Sequence, residues 1–157
     1  MKFASFVCSS GPGYGIVDAD RIIRFDVDAD APPDLRSYLG NRFPDLAPPE
    51  GEFEILQLTD VTLLPPIPNP GKIFCVATNF HEEGKAAPQF PLLFMRHAEA
   101  QTGHEGAILK PAVSEKLDFE GELAVIVGRR AHKVASAEAM AYVAGYSCFN
   151  AGSVRDW

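Results

Sequence analysis

The sequence predicts a mainly β chain with short helices, of the α+β class, and three observations carry that reading. Short runs of alternating or β-branched residues recur along the chain, bounded by Gly, Pro, Asn and Asp. Apolar residues at helical spacing are confined to short stretches. Finally, Pro65-Pro66-Ile67-Pro68-Asn69-Pro70-Gly71 can be neither a helix nor a central strand, because its four prolines fix φ and remove hydrogen-bond donors. That stretch, residues 65–71, reads as a linker between a small N-terminal β-rich domain, residues 1–64, and a second unit, residues 72–157.

In the first unit, residues 3–8 read as a strand and Gly11-Pro12-Gly13 as a turn. Residues 15–17 and 21–25 are strands joined across Asp18-Ala19-Asp20, which makes a meander. Leu35, Tyr38 and Leu39 fall at helical spacing, with Pro33 near the start and Gly40 at the end, so a short helix follows. Residues 52–58 alternate in character, residues 61–64 form a second apolar run, and both read as strands. Tyr14 and Arg24 have no partner motif and are read as structural.

In the second unit, residues 72–77 read as a short buried strand, followed by a polar loop over residues 78–85. The loop sets His81 beside Glu82 and Glu83, the equipment of proton transfer near neutral pH and also the ordinary content of a solvated charged loop. Residues 90–96 are an apolar run ending in Arg96, and residues 107–110 read as a further strand ended by Pro111.

Leu117-Asp118-Phe119-Glu120-Gly121-Glu122-Leu123-Ala124-Val125-Ile126-Val127-Gly128 reads as one long strand. Alternation puts Asp118, Glu120 and Glu122 on one face with Ala124 and Ile126, and Leu117, Phe119, Leu123, Val125 and Val127 on the other. Carboxylates at i and i+2 lie roughly 7 Å apart along a strand, close enough to repel in a desolvated setting unless a cation lies between them. Oxygen-only ligands would imply a hard divalent ion. The solvated acidic start of an edge strand has the same pattern. Gly121 leaves the opposite face open to close approach by another group. Beyond Gly128, Arg129, Arg130 and Lys133 occupy a turn, Ser136 is a candidate N-cap for a helix over residues 137–143, and residues 146–149 are a strand. Asn150-Ala151-Gly152 then turns the chain toward a second candidate N-cap, Ser153.

At 46% hydrophobic and 22% charged, the 157 residues have an ordinary composition able to bury a core. The formal charge of −7, with no basic run, argues against a nucleic-acid partner or an anionic membrane surface. Cys8, Cys75 and Cys148 are odd in number and widely spaced, which suits a reducing cytosol better than a disulfide framework. No signal-like or membrane-spanning apolar run is present, so the expected location is cytoplasmic.

The run Asp118-Phe119-Glu120-Gly121-Glu122-Leu123-Ala124-Val125-Ile126-Val127-Gly128-Arg129-Arg130 resembles the metal-binding signature of the fumarylacetoacetate hydrolase family. Tyr142-Val143-Ala144-Gly145-Tyr146 and Ser153-Val154-Arg155-Asp156 resemble its continuation, and Pro65 to Ile73 resembles the entry into that family's catalytic domain. The resemblance implies a fumarylacetoacetase-like mixed β-roll, of which residues 72–157 would be the first half. It implies Glu120 and Glu122 as ligands of Mg²⁺ or Mn²⁺, or of Ca²⁺, and His81 with Glu83 as an acid/base pair in a shortened loop. Arg96 would meet an anionic substrate, its alternative being a strand-end surface charge. The implied partner is a small anionic 2-oxo acid of the fumarylacetoacetate or acylpyruvate kind, cleaved at a carbon–carbon bond by a homodimeric enzyme. Where the family pattern has a third metal-binding Asp after an Asn, this chain has Ala151 after Asn150, so the expected metal affinity is weakened. The other reading is a catalytically impaired or truncated member that keeps the fold with an incomplete metal site.

Overall fold

The computed structural model of the chain describes residues 1–48, 50–80, 83–86 and 88–157. Its first half is a five-stranded antiparallel sheet in the order β4-β3-β2-β1-β5, formed by β1 (Phe3–Cys8), β2 (Gly11–Asp18), β3 (Arg21–Arg24), β4 (Glu54–Gln57) and β5 (Thr62–Leu63). The turn into β2 is Ser9-Ser10, not Gly11-Pro12-Gly13. These three residues join the ladder, with Cys8 opposite Gly11 and Phe6 opposite Gly13. Tyr14 and Ile16, two residues apart and therefore on one face of β2, meet Phe25 and the helix α1 (Leu35–Arg42). That helix buries Leu35, Tyr38 and Leu39, each contributing about 1.5–3 kcal/mol when withdrawn from water. The phenols of Tyr14 and Tyr38 stay satisfied inside this core by donating to the carbonyls of Pro32 and Ala47 at 2.9 and 2.6 Å. Burial raises the pKa of both. Arg24 is structural too, pairing with Asp26 at 2.8 Å and with Glu54 at 3.2 Å.

The helix runs past Gly40 and stops at Phe43, which precedes Pro44 and is forced into extended backbone, φ −61° and ψ 133°. At its other end Asp34 is the N-cap. One carboxylate oxygen accepts the Ser37 N–H at 2.7 Å, and the other accepts Asn69 Nδ2 at 2.7 Å. Burial opposes ionisation of Asp34, but these hydrogen bonds outweigh it and hold the pKa below its ordinary value. The stabilisation it gives is therefore complete above the usual carboxylate range and is lost as pH falls through the depressed value. Asp34→Ala should cost about 1–2 kcal/mol in chemical denaturation at neutral pH, and less in acid. A loss independent of pH would show that the carboxylate is not the cap.

The second half consists of paired strands: β6 (Ile73–Ala77) with β7 (Leu92–Arg96), β9 (Gly121–Val127) with β10 (Val143–Asn150), and β8 (Leu117–Asp118) with β11 (Ser153–Val154). Residues 107–110 form no strand. Residues Ser136–Tyr142 form a 3-10 helix capped from Ala135 with no side-chain hydrogen bond, so Ser136 is inside the turn and not its cap. Ser153 does not start a helix. It pairs across β8 opposite Asp118.

Ile126 of β9 packs on the cluster around Tyr14 and Tyr38, which seats the second half against the first. At Gly128 an added Cβ would meet the Phe43 ring and the Ala144 methyl at 2.8 Å, so the close approach there needs glycine. The opposite face of β9 is bare. Leu123, Val125 and Val127 are 62, 50 and 61% exposed, and Tyr146 lies across from Val125. An apolar sheet face of that kind drives association. Light scattering across a concentration series should show self-association, and a monodisperse monomer at every concentration would contradict this. No helix among the described residues is long and apolar enough to cross a membrane.

Candidate metal and 2-oxo acid site

The acidic run is not one strand but two, β8 and β9, interrupted at Phe119 and Glu120. The cause is local. The Asp118 side chain accepts its neighbour's N–H, that of Phe119, at 3.0 Å and so competes with the ladder. Strand pairing resumes around the break. The Glu120 N–H donates to Asn150 Oδ1 at 3.0 Å, and the Glu120 carbonyl accepts the Ala151 N–H at 2.9 Å. Position 151 therefore lies across from Glu120, held by the backbone. Glu122 follows opposite Phe149, on the face that carries the half-buried Ala124 and Ile126. Among the described residues the expected close approach at Gly121 does not occur, since none has an atom within 4 Å of where its Cβ would be.

Glu120 is the more enclosed of the two glutamates, its side chain 27% exposed, and it forms an ion pair with Arg155 Nη2 at 2.7 Å. The same guanidinium donates through Nε to Asp118 Oδ2 at 3.3 Å. Next to it Ser114, fully buried, donates to Asp156 Oδ1 at 2.6 Å, and Asp156 Oδ2 accepts the Glu115 N–H at 3.2 Å. The Ser114 hydrogen bond is the main reason the Asp156 carboxyl lies below its ordinary pKa. Residues 114–120 are thus fastened to residues 150–156 by main chain, hydroxyl and charge together.

Arg96 is half-buried and hydrogen-bonded within the protein. From the end of β7, its Nη2 donates to the Ala151 carbonyl at 3.1 Å and to Ser153 Oγ at 3.3 Å, and its guanidinium lies over the Phe94 ring. Its Nε is buried with no partner among the described residues. Arg96 is therefore at the same turn as Ala151, one residue across from Glu120. Beside this turn is a cavity of about 290 Å³, lined by Ile108, Leu117, Asp118, Phe119, Asn150 and Gly152.

His81 lies outside the described residues, as does Glu82. Glu83 is exposed in the turn before Gly84, where φ is +81°. Thr78, at the head of the same loop, has φ +53°, a left-handed conformation that costs a non-glycine residue about 1 kcal/mol or more and clusters at functional sites. Sequence reasoning did not place Arg155, Asn150 or Ser153 at the site. The signal for them was their position in the motif that continues the acidic run.

Among the described residues no group of three or more His, Cys, Asp and Glu could hold a metal ion. Glu120 and Glu122, the carboxylates the resemblance implies as ligands, are an oxygen-only pair of the kind that suits a hard divalent cation with water completing the shell. Ala151, 1% exposed, puts a methyl group where the resemblance implies a third ligand.

Residues 72–157 match the family model described as fumarylacetoacetate hydrolase C-terminal, and residues 1–66 match one described as Rv2993c-like, N-terminal. An uncharacterized protein of Archaeoglobus fulgidus is 37% identical over 122 residues, covering 68% of this chain and 48% of that protein. The mitochondrial oxaloacetate tautomerase FAHD2A of Bos taurus is 34% identical over 110 residues, covering 68% of this chain and 35% of the relative. Among solved structures, fumarylacetoacetate hydrolase from Exiguobacterium antarcticum superposes with a TM-score of 0.82 at 25% identity, covering 99% of this chain and 57% of that one. Maleylpyruvate hydrolase from Sphingobium sp. SYK-6, in complex with manganese(II) and pyruvate, superposes with a TM-score of 0.77 at 25% identity over 100% of this chain and 60% of that one. The chain thus spans half or less of these two curated relatives. The matched C-terminal family model, the relatives and the shared fold converge on one conclusion: the chain belongs to the fumarylacetoacetate hydrolase family.

Proposed function

We propose that the protein is a metal-dependent enzyme acting on a small anionic 2-oxo acid of the acylpyruvate type, cleaving it hydrolytically at a carbon–carbon bond. The observation that carries this reading is the Glu120–Glu122 segment, held against the Asn150–Ala151 turn to which Arg96 donates. The manganese and pyruvate of the related maleylpyruvate hydrolase support a divalent metal and a 2-oxo acid. A bound Mg²⁺ or Mn²⁺ would supply Lewis-acid polarisation of the substrate's oxygens. Glu120 and Glu122 would hold that ion, and Arg96 would orient the substrate's anionic end through the positive charge it brings to the turn. His81, assisted by Glu83, takes a proton from water as its oxygen bonds to the carbonyl carbon. The adjacent carbon–carbon bond then breaks, its electron pair goes to the departing carbon, and that carbon takes the proton back from His81. The working assembly in this reading is a homodimer.

One observation favours a second reading, that of a catalytically impaired member: Ala151 supplies no oxygen, and Glu120 is already paired with Arg155. An assay on an acylpyruvate with and without added Mn²⁺ separates the two. Turnover that requires the metal supports the first reading. No turnover with saturating metal, from protein that melts cooperatively, supports the second.

A further inference from the structure

We propose that Arg155 is the built-in counter-ion of the acidic site, so that a divalent cation reaches Glu120 only by displacing the guanidinium from it. The inference rests on the reading of Glu120 and Glu122 as the carboxylates that hold the ion, and it adds what regulates access to them. The guanidinium lies 2.7 Å from Glu120 Oε1, within ion-pair and hydrogen-bond range, while its Nε reaches Asp118 Oδ2 at 3.3 Å. Its origin is fixed as well. The Arg155 N–H donates to the Lys116 carbonyl at 2.9 Å directly after the β8–β11 pair, so the side chain emerges from an anchored backbone beside the acids.

Charge arithmetic explains why a guanidinium suits this chain. Asp118 ends β8, Glu120 lies in the break that follows, and the Glu120 side chain is largely withdrawn from solvent. A carboxylate in that position needs a partner. With alanine at 151, Arg155 has two acids to bridge and no third acid at that turn to share them with. The planar fork of arginine can span both, whereas a lysine ammonium is a single point charge on a flexible stem. A cation bound between Glu120 and Glu122 would sit against the guanidinium, so the two positive charges compete for the Glu120 carboxylate.

The test is calorimetric titration of Mn²⁺ into the full chain, Arg155→Gln, Arg155→Lys, and the same substitutions in a Glu120→Gln background, each checked for a cooperative melt. Arg155→Gln should bind Mn²⁺ about fivefold more tightly, the equivalent of one partly exposed ion pair no longer having to be broken. Arg155→Lys should gain less, and neither should gain in the Glu120→Gln background. If Arg155→Gln does not melt cooperatively, Arg155→Lys is read by the same criteria. Unchanged or weaker binding in a folded variant overturns the proposal, as does no binding in either parent or variant. An equal gain without Glu120 also overturns it, because the effect would then be general charge. If Glu120→Gln with Glu122→Gln binds Mn²⁺ as tightly as the parent, the underlying reading of the site fails regardless of Arg155. Loss of binding in that double variant, with Arg155→Gln silent, counts against the counter-ion alone.

Discussion

Ala151→Asp is expected to tighten Mn²⁺ or Mg²⁺ binding by at least about tenfold, or roughly 1.4 kcal/mol, because hard-ion affinity rises with the number of charged oxygen ligands. The geometry favours the substitution. The Ala151 N–H is hydrogen-bonded to the Glu120 carbonyl, so the turn is locked across from the first glutamate. A carboxylate at this buried position would ordinarily be costly. Here Arg96 donates to the carbonyl of the same residue and brings a positive charge to the turn. The gain should also depend on its neighbours: in a Glu120→Gln, Glu122→Gln background it should be much smaller, since a lone carboxylate cannot hold the ion. Equal gains in both backgrounds would reduce the effect to general charge. No gain in either would mean that the side chain at 151 points away from the acids.

His81→Ala is expected to lower turnover of an acylpyruvate by about 10²–10⁴-fold, the usual worth of a positioned general base, while Mn²⁺ affinity stays the same. The split between the two readouts is informative, because a residue that held the metal would move both. In sequence, His81 comes three residues after Thr78, whose backbone is left-handed. Glu83→Gln should show a smaller loss in the same direction. Turnover retained in His81→Ala would move proton transfer to another residue.

Much of the N-terminal sheet could be read from sequence because it depends on near neighbours. Strands joined by a two-residue turn, as β2–β3 are, announce themselves through alternation and turn residues, whereas the β1–β2 turn is at Ser9-Ser10 although the turn residues point to Gly11-Pro12-Gly13. The alternation of β9 was legible for the same reason, and it puts Ala124 and Ile126 on the packed side. What could not be read depends on contacts distant in sequence. Ser153 has the chemistry of a helix cap, and only pairing with Asp118, thirty-five residues earlier, makes it a strand. The break at Phe119 comes from one side chain accepting its neighbour's N–H, a competition that periodicity does not register. Residues 107–110 carry strand-like character and find no partner strand. At the site, the Glu120–Glu122 spacing was visible at once. The coupling of Arg96 to Ala151 and of Arg155 to both acids was not, because it arises where the ends of β7, β8 and β11 meet.

The account stands most directly on Glu120 and Glu122 as the carboxylates that take a divalent cation. Calorimetric titration of Mn²⁺ into the chain and into Glu120→Gln with Glu122→Gln, both folded by their melts, tests it. The account predicts saturable binding by the parent and at least a tenfold loss, about 1.4 kcal/mol, in the double variant. Equal affinity in the two proteins would contradict it and would place any metal site elsewhere in the chain.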